Sequence, residues 1–173
     1  NMLGPTGGHS DKRNGLDPEL EHAHWDEAVI DGADEAVKAV RRLHRQGADL
    51  VKIMPSGGVL SINDDPKRTT MTDAEVSAVV TTAHALGMKV AAHAHGKDAI
   101  EQASRLGADS VEHVTFAEND SFQIMKKNGT YFVPTLLVAN RGLKVAIEHP
   151  DRLPPSSAAK AKIGAPGTNQ NTG

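Results

Sequence analysis

Cysteine is absent from all 173 residues, so disulfides and thiolate-held metals are excluded and any metal must sit on nitrogen and oxygen donors. The redox compartment stays open. The chain also lacks a Lys/Arg block: 19 basic residues stand against 22 acidic ones, for a formal net charge of −3. Phosphate backbones are gripped by clustered cations, so no nucleic-acid partner is expected. No apolar run reaches the roughly 18 residues that a membrane span requires, and the opening Asn1-Met2-Leu3-Gly4-Pro5 carries no signal-peptide pattern. The expectation is a soluble, cytoplasmic protein with no membrane partner, export of a longer form being left open. Its length suits one domain with a real core.

What is present is a pattern that recurs four times: a helical stretch, a glycine, then a short apolar strand. The glycines are Gly47, Gly87, Gly107 and Gly129, and each follows apolar residues at helical spacing, as in Val76, Val79, Ala83 and Leu86. Glycine just past a helix is the usual left-handed stop. Thr72-Asp73-Ala74-Glu75 forms a capping box that opens the second helix. The strands expected are Asp49 to Met54, Lys89 to His93, Asp109 to His113 and Tyr131 to Thr135. Strand, helix, strand at these spacings gives right-handed crossovers and an α/β parallel sheet, either open and doubly wound or part of a barrel.

Three residues near the carboxyl ends of these strands carry the chemistry. Lys52 lies in Leu50-Val51-Lys52-Ile53-Met54, five residues after its glycine, while His93 and His113 each lie six after theirs. In both architectures that end holds ligands and catalytic groups. A lysine in an apolar strand must be neutralised, modified or paired, because desolvating an ammonium is costly. A metal shared with strand-end histidines would meet that need. His95 shares the face of His93 by alternation but lies past the strand end, as a substrate contact or a loop histidine. His9, after Thr6-Gly7-Gly8, and the turn Ser56-Gly57-Gly58 could offer backbone amides to a substrate carboxylate, although glycine pairs in loops more often serve only as turns. The pair His22 and His24 reads as an exposed loop or helix start, and His44, His84 and His149 as surface helix residues.

Taken in order, Gly47-Ala48-Asp49-Leu50-Val51-Lys52-Ile53-Met54, Ser56-Gly57-Gly58-Val59-Leu60-Ser61, Ala92-His93-Ala94-His95-Gly96, Val111-Glu112-His113 and Val133-Pro134-Thr135-Leu136 resemble the amidohydrolase superfamily. The likeness spans about residues 4 to 150 and is nearest to the branch of prolidase-like dipeptidases, imidazolonepropionase-related proteins and ochratoxin-hydrolysing enzymes. It implies a (β/α)8 barrel with two divalent metal ions, usually zinc, bridged by a carboxylated lysine. Lys52 matches that lysine, and His93 and His113 match the histidines ending the next two strands. A metal-bridging hydroxide and a polarised carbonyl would then hydrolyse an amide, in a dipeptide or an N-acyl amino acid.

The family's first-strand His-x-His and final-strand aspartate have no counterpart in this sequence. The chain therefore reads as the central part of such an enzyme: one partial TIM barrel domain of about four β/α units over 31–150, preceded by a strand-end loop region over 1–30 and followed by a polar tail over 151–173. Alone it is expected to be inactive, and its partners are a small-molecule or dipeptide-like substrate and the missing barrel segments or a second copy. The alternatives are an aldolase-type barrel with Lys52 as a Schiff-base lysine, and a non-catalytic barrel piece that serves assembly.

Overall fold

The computed structural model describes residues 2–20, 25–62 and 64–163; His22 and His24 lie outside them. Five parallel strands form one sheet in chain order: β1 (Met2–Leu3), β2 (Leu50–Ile53), β3 (Lys89–Ala94), β4 (Ser110–His113) and β5 (Tyr131–Val133). Between and after them run α1 (Ala33–Arg45), α2 (Asp73–Ala85), α3 (Lys97–Arg105), α4 (Asn119–Asn128), α5 (Leu136–Glu148) and α6 (Pro155–Ile163). This is a partial TIM barrel, as expected. The four expected strands are joined by a fifth, β1, inside the stretch read as loop, and part of the expected polar tail is helical, as α6.

The sequence signals act where they stand. The glycines that end α1 to α4, Gly47, Gly87, Gly107 and Gly129, have φ of 83°, 74°, 97° and 70°, the left-handed backbone that side chains resist. At the start of α2 the Glu75 amide donates to Thr72 Oγ1 at 3.3 Å and the Thr72 amide to Glu75 Oε2 at 2.7 Å. Alternation then sorts each strand. Val51 and Ile53, Val90 and Ala92, and Val111 are buried with Val40, Leu43, Val76, Val79 and Ile100 of the helices. Each large aliphatic side chain so buried stabilises the fold by about 1.5–3 kcal/mol. The other face carries Lys52, Ala91, His93, Ser110 and Glu112, and it is there that the polar chemistry collects.

Register decides which of these groups meet. Lys52 pairs with Ala91, so it lies on the face of His93 but one pleat lower. His93 pairs with Glu112, and His113 pairs with Ala94. Equal spacing from the preceding glycine therefore does not put the two histidines in register, because neighbouring strands of a barrel are staggered.

At the opposite end of the strands Asp109 ties three elements together. Its carboxylate accepts from His84 Nε2 at 2.8 Å, Lys89 Nζ at 2.7 Å and the Val90 amide at 2.8 Å. Burial pushes its pKa up, but these donors outweigh burial and bring it down to about 2. A carboxyl whose folded pKa is depressed stabilises above its unfolded pKa near 3.8 and loses that contribution as pH falls toward 2. Its partial exposure screens the pair, so about 1 kcal/mol is expected from the charge. Asp109→Ala in the complete protein should cost roughly 1–3 kcal/mol in urea unfolding at neutral pH, since the Val90 amide is left unpaired, with a smaller difference in strong acid.

No helix among the described residues is long and apolar enough to cross a membrane.

Candidate metal centre

Strand β3 delivers His93 and His95 to its carboxyl end, both buried. His113 reaches the same place by a different route. Its φ of 72° and that of Val114, 54°, lie in the left-handed region, which costs non-glycine residues on the order of 1–3 kcal/mol each. This turn frees His113 from simple strand alternation, and its ring centroid lies 4.8 Å from that of His93 and 4.7 Å from that of His95. The donor nitrogens of His93, His95 and His113 lie within 4.8 Å of one another. His9 stacks on His93, with centroids 4.2 Å apart and planes 19° apart.

Each ring is held by a partner. His93 Nε2 donates to the Gly57 carbonyl at 3.1 Å, which leaves the Nδ1 lone pair uncommitted by that bond. His95 Nδ1 bonds Thr115 Oγ1 at 2.7 Å, and His113 Nδ1 bonds Thr135 Oγ1 at 2.8 Å. Burial drives all three pKa values down, to about 2 for His93, about 3 for His95 and about 4 for His113; neighbouring rings push each the same way, as do Lys160 at His95 and Lys52 at His113, while the Gly57 bond opposes the shift at His93. The rings are neutral at physiological pH, which is the metal-binding form. Three neutral imidazoles in one cluster are a donor set that fits zinc or a similar divalent ion.

Lys52 is on this inner face, but its ammonium is ion-paired with Glu112, and it does not enter the imidazole cluster as it stands. Burial lowers its pKa to about 8. The structure thus brings His93 and His113 together with His95, which the strand pattern left as a substrate contact or loop residue. The sequence reading does not include Glu112, although an acid on a strand next but one to a half-buried lysine is a legible signal. Thr115, Thr135, Ser61, Asp64 and Lys160 carry no signal of their own in the sequence.

Of the two readings of the 56–58 turn, its amide contacts favour the plain turn. The Gly57 amide donates to the Arg68 carbonyl at 3.4 Å and the Gly58 amide to Asp64 Oδ2 at 3.2 Å, so both are engaged within the protein. A side chain at Gly58 would run into the His9 ring, and one at Gly57 into the Asp65 backbone. These glycines serve close approach. Ser56, fully buried, accepts from the His95 amide at 3.0 Å. A cavity of about 160 Å³ opens over the cluster, with His9, His93, His95 and His113 on one side and Leu60, Val138 and Leu143 among its apolar walls.

Residues 9–168 match the amidohydrolase family. The chain is 37% identical to the ochratoxinase of Aspergillus niger over 107 residues, 62% of this chain and 22% of that protein. Among solved structures it resembles a Xaa-Pro dipeptidase with methionine bound in its active site, at 36% identity and a TM-score of 0.89, over 95% of this chain and 41% of that one. It is also similar to a prolidase complexed with N-methylphosphonate-L-proline, at 34% identity and a TM-score of 0.83, over 94% of this chain and 40% of the other. The A. niger ochratoxinase structure matches at 30% identity and a TM-score of 0.75, over 95% of this chain and 39% of the other. The chain spans about two fifths of these solved chains and about a fifth of the curated relative. With the family match running through nearly its whole length, over a parallel β/α sheet whose strand ends gather neutral histidines, the chain belongs to the amidohydrolase family.

Proposed function

We propose that this chain is the central part of a metal-dependent hydrolase that cleaves the amide bond of a dipeptide or an N-acyl amino acid. The observation that carries the reading is the convergence of His93, His95 and His113 as neutral rings at the carboxyl ends of neighbouring strands, open to a cavity. The prolidase and ochratoxinase relatives support the amide bond as the target. Lys52, His93 and His113 are the residues that would hold a binuclear centre, with zinc the fitting ion. Bound there, metal would supply Lewis acidity toward the scissile carbonyl and lower the pKa of the attacking water.

The chain's own residues do the rest. Thr115 and Thr135 orient the His95 and His113 rings. His9 and His95 face the cavity and contact substrate, while the 56–58 turn backs them. The apolar walls exclude bulk water from the reacting bond. Burial lowers the Lys52 pKa to about 8, so its ammonium gives up a proton more readily than a free lysine's, and the neutral amine can attack carbon dioxide. The Nζ–C bond forms, one Nζ proton leaves to solvent, and the resulting carbamate is an anion suited to two cations. Segments beyond this chain, or a second copy, close the sheet edges at β1 and β5.

The test is chelation of the complete protein, followed by assay for amino acid released from Xaa-Pro dipeptides and N-acyl amino acids. Turnover should vanish on chelation and return with zinc. Chelator-resistant turnover would refute the reading, and borohydride inactivation with a carbonyl substrate would move Lys52 to Schiff-base chemistry.

A further inference from the structure

Beyond the imidazole cluster, a buried polar chain runs from the C-terminal helix to the cavity. Lys160 of α6 places Nζ 2.8 Å from the Gly58 carbonyl, 2.7 Å from that of Ser61, 2.9 Å from that of Asp64 and 3.0 Å from Asp64 Oδ1, four acceptors that share its three protons. The Asp64 side chain is 3% exposed and that of Lys160 is 12% exposed, so neither is a surface ornament. Ser61 Oγ lies 2.6 and 2.7 Å from the two Asp64 oxygens and 2.8 Å from His9 Nδ1.

Counting protons assigns the ring. Asp64 faces an ammonium, the Gly58 amide and the Ser61 hydroxyl, all donors, so it accepts throughout. The single Ser61 hydroxyl proton goes to this carboxylate, the strongest acceptor in reach. Ser61 Oγ can then only accept from His9, whose Nδ1 must carry the proton. The ring is pinned from two further sides, by its stack on His93 and by Gly58, where any side chain would occupy its place.

We propose that Lys160, Asp64 and Ser61 are positioning residues that fix His9 with Nδ1 protonated and Nε2 left to meet substrate or water in the cavity. Its consequence for turnover rests on the amidohydrolase reading above; the tautomer itself does not.

The experiment uses the complete protein labelled with 15N-histidine at about pH 8, with the His9 signal identified by its loss in His9→Gln. Wild type should show His9 protonated at Nδ1 and bare at Nε2. Ser61→Ala should shift the ring toward the Nε2-protonated tautomer and lower kcat about 10- to 100-fold, the usual effect of losing a group that orients a site residue, with metal content and KM little changed. Ser61→Thr, which keeps the hydroxyl, should restore both, and Lys160→Met should act in the direction of Ser61→Ala. A wild-type His9 protonated at Nε2 overturns the assignment, as does a Ser61→Ala protein with unchanged tautomer and unchanged kcat. Because the tautomer is read without turnover, a protein inactive on every amide offered counts against the proposed reaction, while the ring signal still decides this inference.

Discussion

Alanine in place of His93 or His113 is expected to strip the complete protein of most of its metal and to lower turnover on the order of a thousandfold. The expectation follows from the geometry. Both rings are neutral and inward, and both are held by second partners, the Gly57 carbonyl for His93 and the Thr135 hydroxyl for His113. Loss of a mere orienting partner costs about 10- to 100-fold, so loss of the donor nitrogen should cost more. His95→Ala, which takes the third ring from the cluster, should lose less metal than either and should also lower activity through lost substrate contact, and exposed His44→Ala should change neither. Elemental analysis beside kinetics checks all four. Equal losses at His93, His113 and His44 would show that folding is being measured, and a His113→Ala protein with normal zinc and normal turnover would refute its role.

The isolated 173-residue chain should show no amide hydrolysis above buffer and should hold metal more weakly than the complete protein. It should also self-associate. Strands β1 and β5 stand at the two ends of the sheet order, and Tyr131 of β5 is 76% exposed and Leu137 of α5 71% exposed, apolar surface that a closed barrel would cover. Supplying the remaining barrel segments in trans should restore metal retention and activity. Light scattering and metal analysis of the chain alone decide the point: a monodisperse, zinc-loaded and active monomer would contradict it.

Much of the fold is legible in the sequence because it rests on local rules. Four glycines that stop helices mark four strands, and the Thr72 to Glu75 capping box starts α2 where expected. What escapes is non-local. Strand β1 is two residues long and exists only by pairing Met2 and Leu3 with Lys52 and Ile53. Helix α6 has no apolar stripe to announce it, and it is fixed instead by Ser157 and Lys160 reaching the 58–64 loop. At the site, spacing points to His93 and His113 but not to their relation, since register pairs His113 with Ala94 and a left-handed turn brings it back. The Lys52 and Glu112 pair depends on three strands lying side by side.

Lys52 is the residue on which the proposed metal centre turns. Its ammonium pairs with Glu112, whereas the proposed binuclear centre would place a carbamate anion there. The direct measurement is a crystal structure of the complete protein, metal-loaded and grown with bicarbonate, with anomalous data at the zinc edge. The expected result is density extending past Lys52 Nζ by a carboxyl group, between two anomalous peaks that also touch His93 and His113. A bare Lys52 still paired to Glu112, with the metal bound elsewhere, would contradict it.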